Sequence, residues 1–193
     1  MISDKNKILS IFRETGALLD GHFILTSGYH SPQYFQCAKV LQFPEYNQMF
    51  SSEIAGHFRN KKIDVVISPA VGGIVLGTEV GRQLNARTIF AERENGVMNL
   101  RRGFDLKENE NVLVCEDVVT TGGSVFEVID LVKAYKAILS GVGYIVDRSG
   151  GQVNFGIEQF SLIQMEVIKF KKDEIPEWLA KIPVTKPGSR SLN

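Results

Sequence analysis

Between Ile63 and Arg148 short apolar runs alternate with segments of helical spacing, and this rhythm restricts the fold more than any other feature of the chain. "IDVVISPA" reads as a strand, "GGIVLGTEVGRQLN" as a helix and "ARTIFAER" as a strand. After a polar stretch, "NVLVCEDV", "GGSVFEVIDLVKAYK" and "GVGYIVDR" repeat strand, helix and strand. Such alternation demands right-handed crossovers, so the predicted class is α/β: an open, mostly parallel, twisted sheet flanked by helices on both faces. Upstream, "PEYNQMFSSEIAGHFRNKK" predicts a helix, with Pro44 in its first turn and basic residues in its last. Ile8, Leu9, Ile11 and Phe12 predict a short amphipathic helix stopped near Gly16. "GHFILTSGYHSPQYFQCAKVL" predicts extended segments with a turn from Gly28 to Pro32. At 193 residues one domain is the default. Its regions are a small N-terminal helix and β segment over 1–43, an α/β core over 44–175, and a C-terminal helix and tail over 176–193. The end of that tail, "PVTKPGSRSLN", has little to bury.

Charge and composition remove several classes of function. Lys plus Arg and Asp plus Glu are both 22, so no global field favours nucleic acid or an acidic membrane surface, and an anionic ligand needs a local site. No apolar run reaches the length of a membrane span, and "MISDKNKILSIF" lacks the apolar core of a signal peptide, which points to a cytoplasmic protein. Cys37 and Cys115 suggest neither a disulfide framework nor a zinc site. His22, His30 and His57 have no metal-ligand spacing and read as surface or satisfied core histidines. Thr78 stands where a Walker A lysine belongs, and no G-x-G-x-x-G follows a strand, so triphosphatase and dinucleotide-binding readings lack support.

In an open parallel sheet, ligands bind outside the carboxyl ends of the strands. Three such ends carry chemistry here: "SPAVGG", "EDVVTTGGS" and "DRSGG". In the second, Thr120, Thr121, Gly122, Gly123 and Ser124 bring hydroxyls and unobstructed N–H groups to the start of a helix, a combination suited to phosphate. A helix cap alone would need only one Ser or Thr. Glu116 and Asp117, just upstream, suit vicinal sugar hydroxyls or a water-bridged Mg²⁺. The stretch fits a sugar phosphate.

Two acidic residues and a Thr/Gly-rich loop after an apolar strand resemble the phosphoribosyl pyrophosphate (PRPP) signature of the type I phosphoribosyltransferases. "GHFILTSGYHSPQYF" resembles the base-binding segment of the orotate phosphoribosyltransferase family, and the likeness continues in order through "SPAVGG", "FAERE", "EDVVTTGGS" and "DRSGG". The resemblance implies that family's fold, with the N-terminal helix and β segment as a hood, its transfer of phosphoribose from PRPP to orotate, and Mg²⁺ bound mainly through PRPP. It also implies a homodimer with shared sites. Carried over by position, PRPP falls to Glu116, Asp117, Val118, Val119, Thr120, Thr121, Gly122, Gly123 and Ser124, and to the pyrophosphate loop Ala70, Val71, Gly72 and Gly73. Arg93 would reach the neighbouring subunit's site. Orotate falls to Arg148, facing its carboxylate, to Tyr34 and Phe35 over its ring, and to Thr26 and Thr120.

The chain departs from the family where lysines are usual. Those places read Thr26, Gly72 and "ERENGVMNLRRGF", a polar segment suited to a mobile closing lid. Arg101 and Arg102 are the candidate catalytic cations there, beside Asp117 in the acidic pair. Two other readings share the PRPP loop: a phosphoribosyltransferase for another base such as a purine, and a PRPP-sensing regulatory protein. The zero net charge and the absence of a basic helix count against the second.

Overall fold

A computed structural model describes residues 4–25, 27–166 and 168–186. Thr26 and the last seven residues of the tail lie outside the described residues. Along the chain run α1 (Lys5–Glu14), β1 (Leu18–Ile24), β2 (His30–Phe35), α2 (Ala38–Leu41), α3 (Pro44–Phe58), β3 (Val65–Pro69), α4 (Gly72–Leu84), β4 (Arg87–Glu94) and β5 (Val97–Leu100). There follow β6 (Asn111–Val119), α5 (Gly123–Ala134), β7 (Ile138–Asp147), β8 (Gln159–Gln164), α6 (Glu177–Ala180) and β9 (Val184–Thr185). Residues 41–165 form one compact unit, and residues 4–40 with 166–186 form a second. Among the described residues no helix is long and apolar enough to cross a membrane.

In the smaller unit the Asp4 carboxylate caps α1 by accepting from the Asn6 N–H at 2.9 Å, and the helix turns Ile8, Ile11 and Phe12 inward. β1 pairs antiparallel with β2 and parallel with β9. The turn between β1 and β2 comes earlier than expected: the Leu25 N–H donates to the Tyr29 carbonyl, and Pro32 lies inside β2. Proline is tolerated there because β2 is an edge strand and its register with β1 breaks between Asp20 and Phe23, opposite Pro32.

The larger unit carries a six-stranded sheet in the order β5-β4-β3-β6-β7-β8, parallel except for the β4–β5 pair. Side chains alternate across it. Val65, Ile67, Ile89, Ala91, Val112, Val114, Val142 and Tyr144 share one core with Val125, Val128, Ile129 and Val132 of α5. The alternate positions meet α3 and α4: Gly77 approaches Ser68 and Cys115, and Gly143 lies against Ile54. Besides β9 in the expected tail, two strands of this sheet had no counterpart in the sequence reading. β8 is a partly exposed edge strand with little apolar signal. β5 arises within the segment expected as an open polar lid. Asn95 (φ 53°) and Gly96 (φ 83°) both take the left-handed backbone of a two-residue hairpin turn, so β4 folds back onto β5.

The tight α3–sheet contact sets a first expectation. A Cβ on Gly143 would sit 2.5 Å from Ile54 Cγ2 in a buried region, so Gly143→Ala should destabilise the fold by about 1–3 kcal/mol in urea titration. Gly56→Ala, on the exposed side of α3 with open space around it, should stabilise by about 0.5–1 kcal/mol. Equal midpoints for the two variants would contradict this packing.

Candidate active site

β3, β6 and β7 are parallel neighbours, so their carboxyl ends and the three motifs that follow them share one rim of the larger unit. At the end of β6 the chain turns through Thr120, Thr121 and Gly122 into α5. Gly122 is left-handed (φ 76°) and its absent side chain leaves room for Val153, Phe155 and Phe126 beneath it. The N–H groups of Thr120, Thr121, Gly122 and Gly123 have no hydrogen-bond partner among the described residues. Together with Glu116, Val118, Val119, Ser124 and Val125 these residues line a pocket of about 70 Å³. Unpartnered N–H groups at the positive end of a helix suit that pocket to a small anion.

The acidic pair lies against the pyrophosphate-loop segment. A Cβ on Gly72 would fall 2.5 Å from Asp117 Oδ2, and one on Gly73 would fall 3.0 Å from Glu116 Oε1. Only glycine lets that backbone approach the two carboxyls so closely. Glu116 Oε1 accepts from the Asp117 N–H at 3.0 Å, and Asp117 Oδ1 accepts from the Val118 N–H at 2.9 Å. Burial, reinforced by the neighbouring Asp117 charge, pushes the Glu116 carboxyl up to about 9, while Arg93 draws it slightly back.

The candidate arginines Arg93, Arg101 and Arg102 are engaged. Arg93 makes a bidentate pair with Glu127 (3.0 and 3.2 Å) and donates to Ser124 Oγ at 3.2 Å, all within its own chain. Arg101 pairs with Glu94 at 3.2 Å, and Arg102 pairs bidentately with Glu92 at 2.7 and 2.9 Å over the ring of Phe90. These carboxylates were missed in the sequence, although Asn95-Gly96 was a hairpin signal that would have folded Glu92 and Glu94 back toward the arginines. Arg148 follows β7, and its N–H donates to the Val119 carbonyl at 2.7 Å, which pins it beside the phosphate loop. Asp147 Oδ1 accepts from both the N–H and the hydroxyl of Ser149, at 2.7 and 2.6 Å, and so shapes the turn that carries Arg148.

The remaining candidates belong to the smaller unit. Tyr34 is half-buried and leans on Phe23, whereas Phe35 points to the opposite face and packs edge-on against Phe12 with ring centroids 5.0 Å apart. Phe35 is therefore a core side chain of its unit rather than a ring cover, as alternation along a strand requires of neighbours. Thr26 lies outside the described residues. The histidines are satisfied: His22 and His30 are buried and share a 2.7 Å hydrogen bond, and His57 meets Glu158 at 2.8 Å.

Comparison with known proteins agrees with this arrangement. The phosphoribosyl transferase domain family matches residues 47–154. The solved orotate phosphoribosyltransferase of Aeropyrum pernix superimposes with a TM-score of 0.69, at 22% identity, over 82% of this chain and 93% of that one. An adenine phosphoribosyltransferase of Rhodothermus marinus superimposes with a TM-score of 0.66, at 16% identity, over 82% of this chain and 99% of that one. Fold and strand-end site thus define a phosphoribosyltransferase. The orotate phosphoribosyltransferase of Chlorobaculum parvum is 57% identical over 96% of both chains. At that likeness over nearly full length, the chain belongs to the orotate phosphoribosyltransferase family.

Glu116 gives the site a pH signature. Burial and the Asp117 charge raise the pKa of its carboxyl well above the 4.5 of the unfolded chain, to about 9. Between those values the folded state binds the extra proton, so the stability this group lends is fully present at low pH and is lost as pH rises through about 9. Urea midpoints of Glu116→Gln, which has no proton to lose, should fall less across that interval than those of the wild type. Identical pH slopes would show that Glu116 is already ionised when folded.

Proposed function

We infer that the protein transfers the 5-phosphoribosyl group from PRPP to orotate, giving orotidine 5′-monophosphate and pyrophosphate, a step of pyrimidine biosynthesis. One observation carries the reading. An acidic pair of buried Glu116 and half-buried Asp117, an anion pocket and the turn bearing Arg148 all meet at the end of β6. The pocket and its N–H groups suit the 5-phosphate, and Asp117 with Glu116 suits the ribose hydroxyls, which fixes the sugar at both ends. Arg148 supplies the planar guanidinium that a carboxylate on the base calls for. Tyr34 remains the candidate to cover the pyrimidine ring.

The reaction is a displacement at the ribose C1, in which a ring nitrogen of orotate replaces pyrophosphate and the sugar acquires oxocarbenium character. Little acid–base chemistry is required, so this chain's work is to orient the two substrates and to exclude water. Asp117, an oxygen donor beside the Gly72 backbone, fits Mg²⁺ entering with PRPP through intervening water. The ion would neutralise charge on the departing pyrophosphate. Arg101 and Arg102 on the hairpin are the nearest substitutes for the family's lysines. Arg93 touches Ser124 at the start of α5, and its reach into a neighbouring subunit's site, with the homodimer that this needs, remains part of this proposal.

The test is a spectrophotometric assay of orotate consumption with PRPP and Mg²⁺, run beside hypoxanthine and xanthine. Orotate alone should be consumed. Arg148→Ala should weaken orotate by roughly 2–5 kcal/mol, the range for breaking a buried charge pair, while leaving PRPP little changed. Consumption of a purine instead would move the protein to another base. Equal weakening of both substrates would make Arg148 a structural residue.

A further inference from the structure

Gln159 opens β8 at the edge of the sheet, opposite Val142, and the reaction outlined above makes no use of it. Its carboxamide nevertheless makes three hydrogen bonds. Nε2 donates to the Val153 carbonyl at 3.0 Å and to the Tyr144 phenol oxygen at 3.2 Å, and Oε1 accepts from the Phe155 N–H at 3.0 Å. A carboxamide has two donors beside its acceptor oxygen, and both are used. Glutamate has nearly the same shape but, when ionised, no donor to offer. The chain from Val153 to Phe155 belongs to no helix or strand, so this side chain stands in for a ladder.

The segment it holds reaches two parts of the site. Val153 Cγ1 and Phe155 Cε1 lie 2.9 and 3.0 Å from where a Cβ on Gly122 would be, so they form the seat of the left-handed residue that ends the phosphate loop. The other end of the segment is tied to the Arg148 turn. The Val153 N–H donates to Ser149 Oγ at 3.2 Å, and Ser149 Oγ donates to Asp147 Oδ1 at 2.6 Å. Arg148 lies within that turn, with its N–H on Val119. A shift of residues 153–155 would therefore move the floor of one substrate's pocket and the anchor of the other's recognition residue together.

We propose that Gln159 is a positioning residue that aligns the phosphate loop with the Arg148 turn, so that losing it weakens both substrates at once; this rests on the phosphoribosyl-transfer reading above. Gln159→Leu keeps most of the volume and removes all three bonds. Assayed well below its melting transition, it should show KM values for PRPP and for orotate each raised about tenfold, given how steeply a small misplacement costs binding and rate. Gln159→Glu retains the acceptor for Phe155 but not the donors, and it should show the same joint loss; it serves as the test variant if the leucine protein does not fold. Tyr144→Phe removes the longest of the three bonds, together with the phenol's hydrogen bond with Ser161, and should stay within about twofold of wild type.

Calorimetric titration of PRPP with Mg²⁺ into each protein reads the phosphate side without turnover. A wild type that binds PRPP but ignores orotate would refute the choice of base, and the PRPP affinity of Gln159→Leu would still decide the role of Gln159. A wild type that does not bind PRPP refutes both. A folded Gln159→Leu protein with a lowered melting temperature and unchanged kinetics, or with only one substrate weakened, overturns the proposal.

Discussion

A carboxyl group held out of water beside a second carboxylate is expensive to ionise, and Glu116 at the end of β6 is such a group. The surrounding structure moderates that cost without removing it. Glu116 accepts a backbone N–H from its neighbour, lies within reach of the Arg93 charge, and has the Gly73 backbone close beside it. Its position follows from the sheet. β6 lies between β3 and β7, so its carboxyl end opens at the centre of the rim, where loops from both neighbours can close around it. The bare N–H groups of the following loop are the complement: the same turn presents acceptors for hydroxyls and donors for an anion a few residues apart.

The cations around this site are held lightly. Arg101 and Arg102 pair with Glu94 and Glu92 on one exposed hairpin, and Arg93 pairs with Glu127 across the start of α5. Exposed pairs of this kind contribute little to stability, so they orient the guanidinium groups without committing them. A pyrophosphate carrying several negative charges can displace a single carboxylate from such a partner. The hairpin thus places positive charge near the rim, with each guanidinium balanced by a carboxylate.

Much of this was legible in the sequence because it rests on periodicity and on residue chemistry. Val and Ile runs alternating with helical spacing marked β3, β4, β6 and β7, and the Thr/Gly-rich stretch after Glu116-Asp117 marked the loop that lines the pocket at the end of β6. What escaped depended on partners distant in sequence or on weak local signals. β8 mixes polar and apolar residues because it is an edge strand. β5 was hidden by its charged flanks, although Asn95-Gly96 announced a hairpin. Tyr34 and Phe35 both read as ring covers in the sequence, but they face opposite sides of β2, and strand parity cannot be assigned without the register against β1. Gln159 carries no motif; its importance comes from three bonds to groups four to fifteen residues away.

In the proposed reaction the acidic pair and the loop after it hold PRPP. Asp117→Asn removes one charge at a strand exit, preserves shape, and should leave the protein folded. Titration calorimetry of Mg²⁺–PRPP into this variant and the wild type measures the claim directly. The affinity of Asp117→Asn should fall about tenfold, or ~1.4 kcal/mol, with circular dichroism and melting temperature unchanged. PRPP binding of wild-type strength by a folded Asp117→Asn protein would remove the pair from the site.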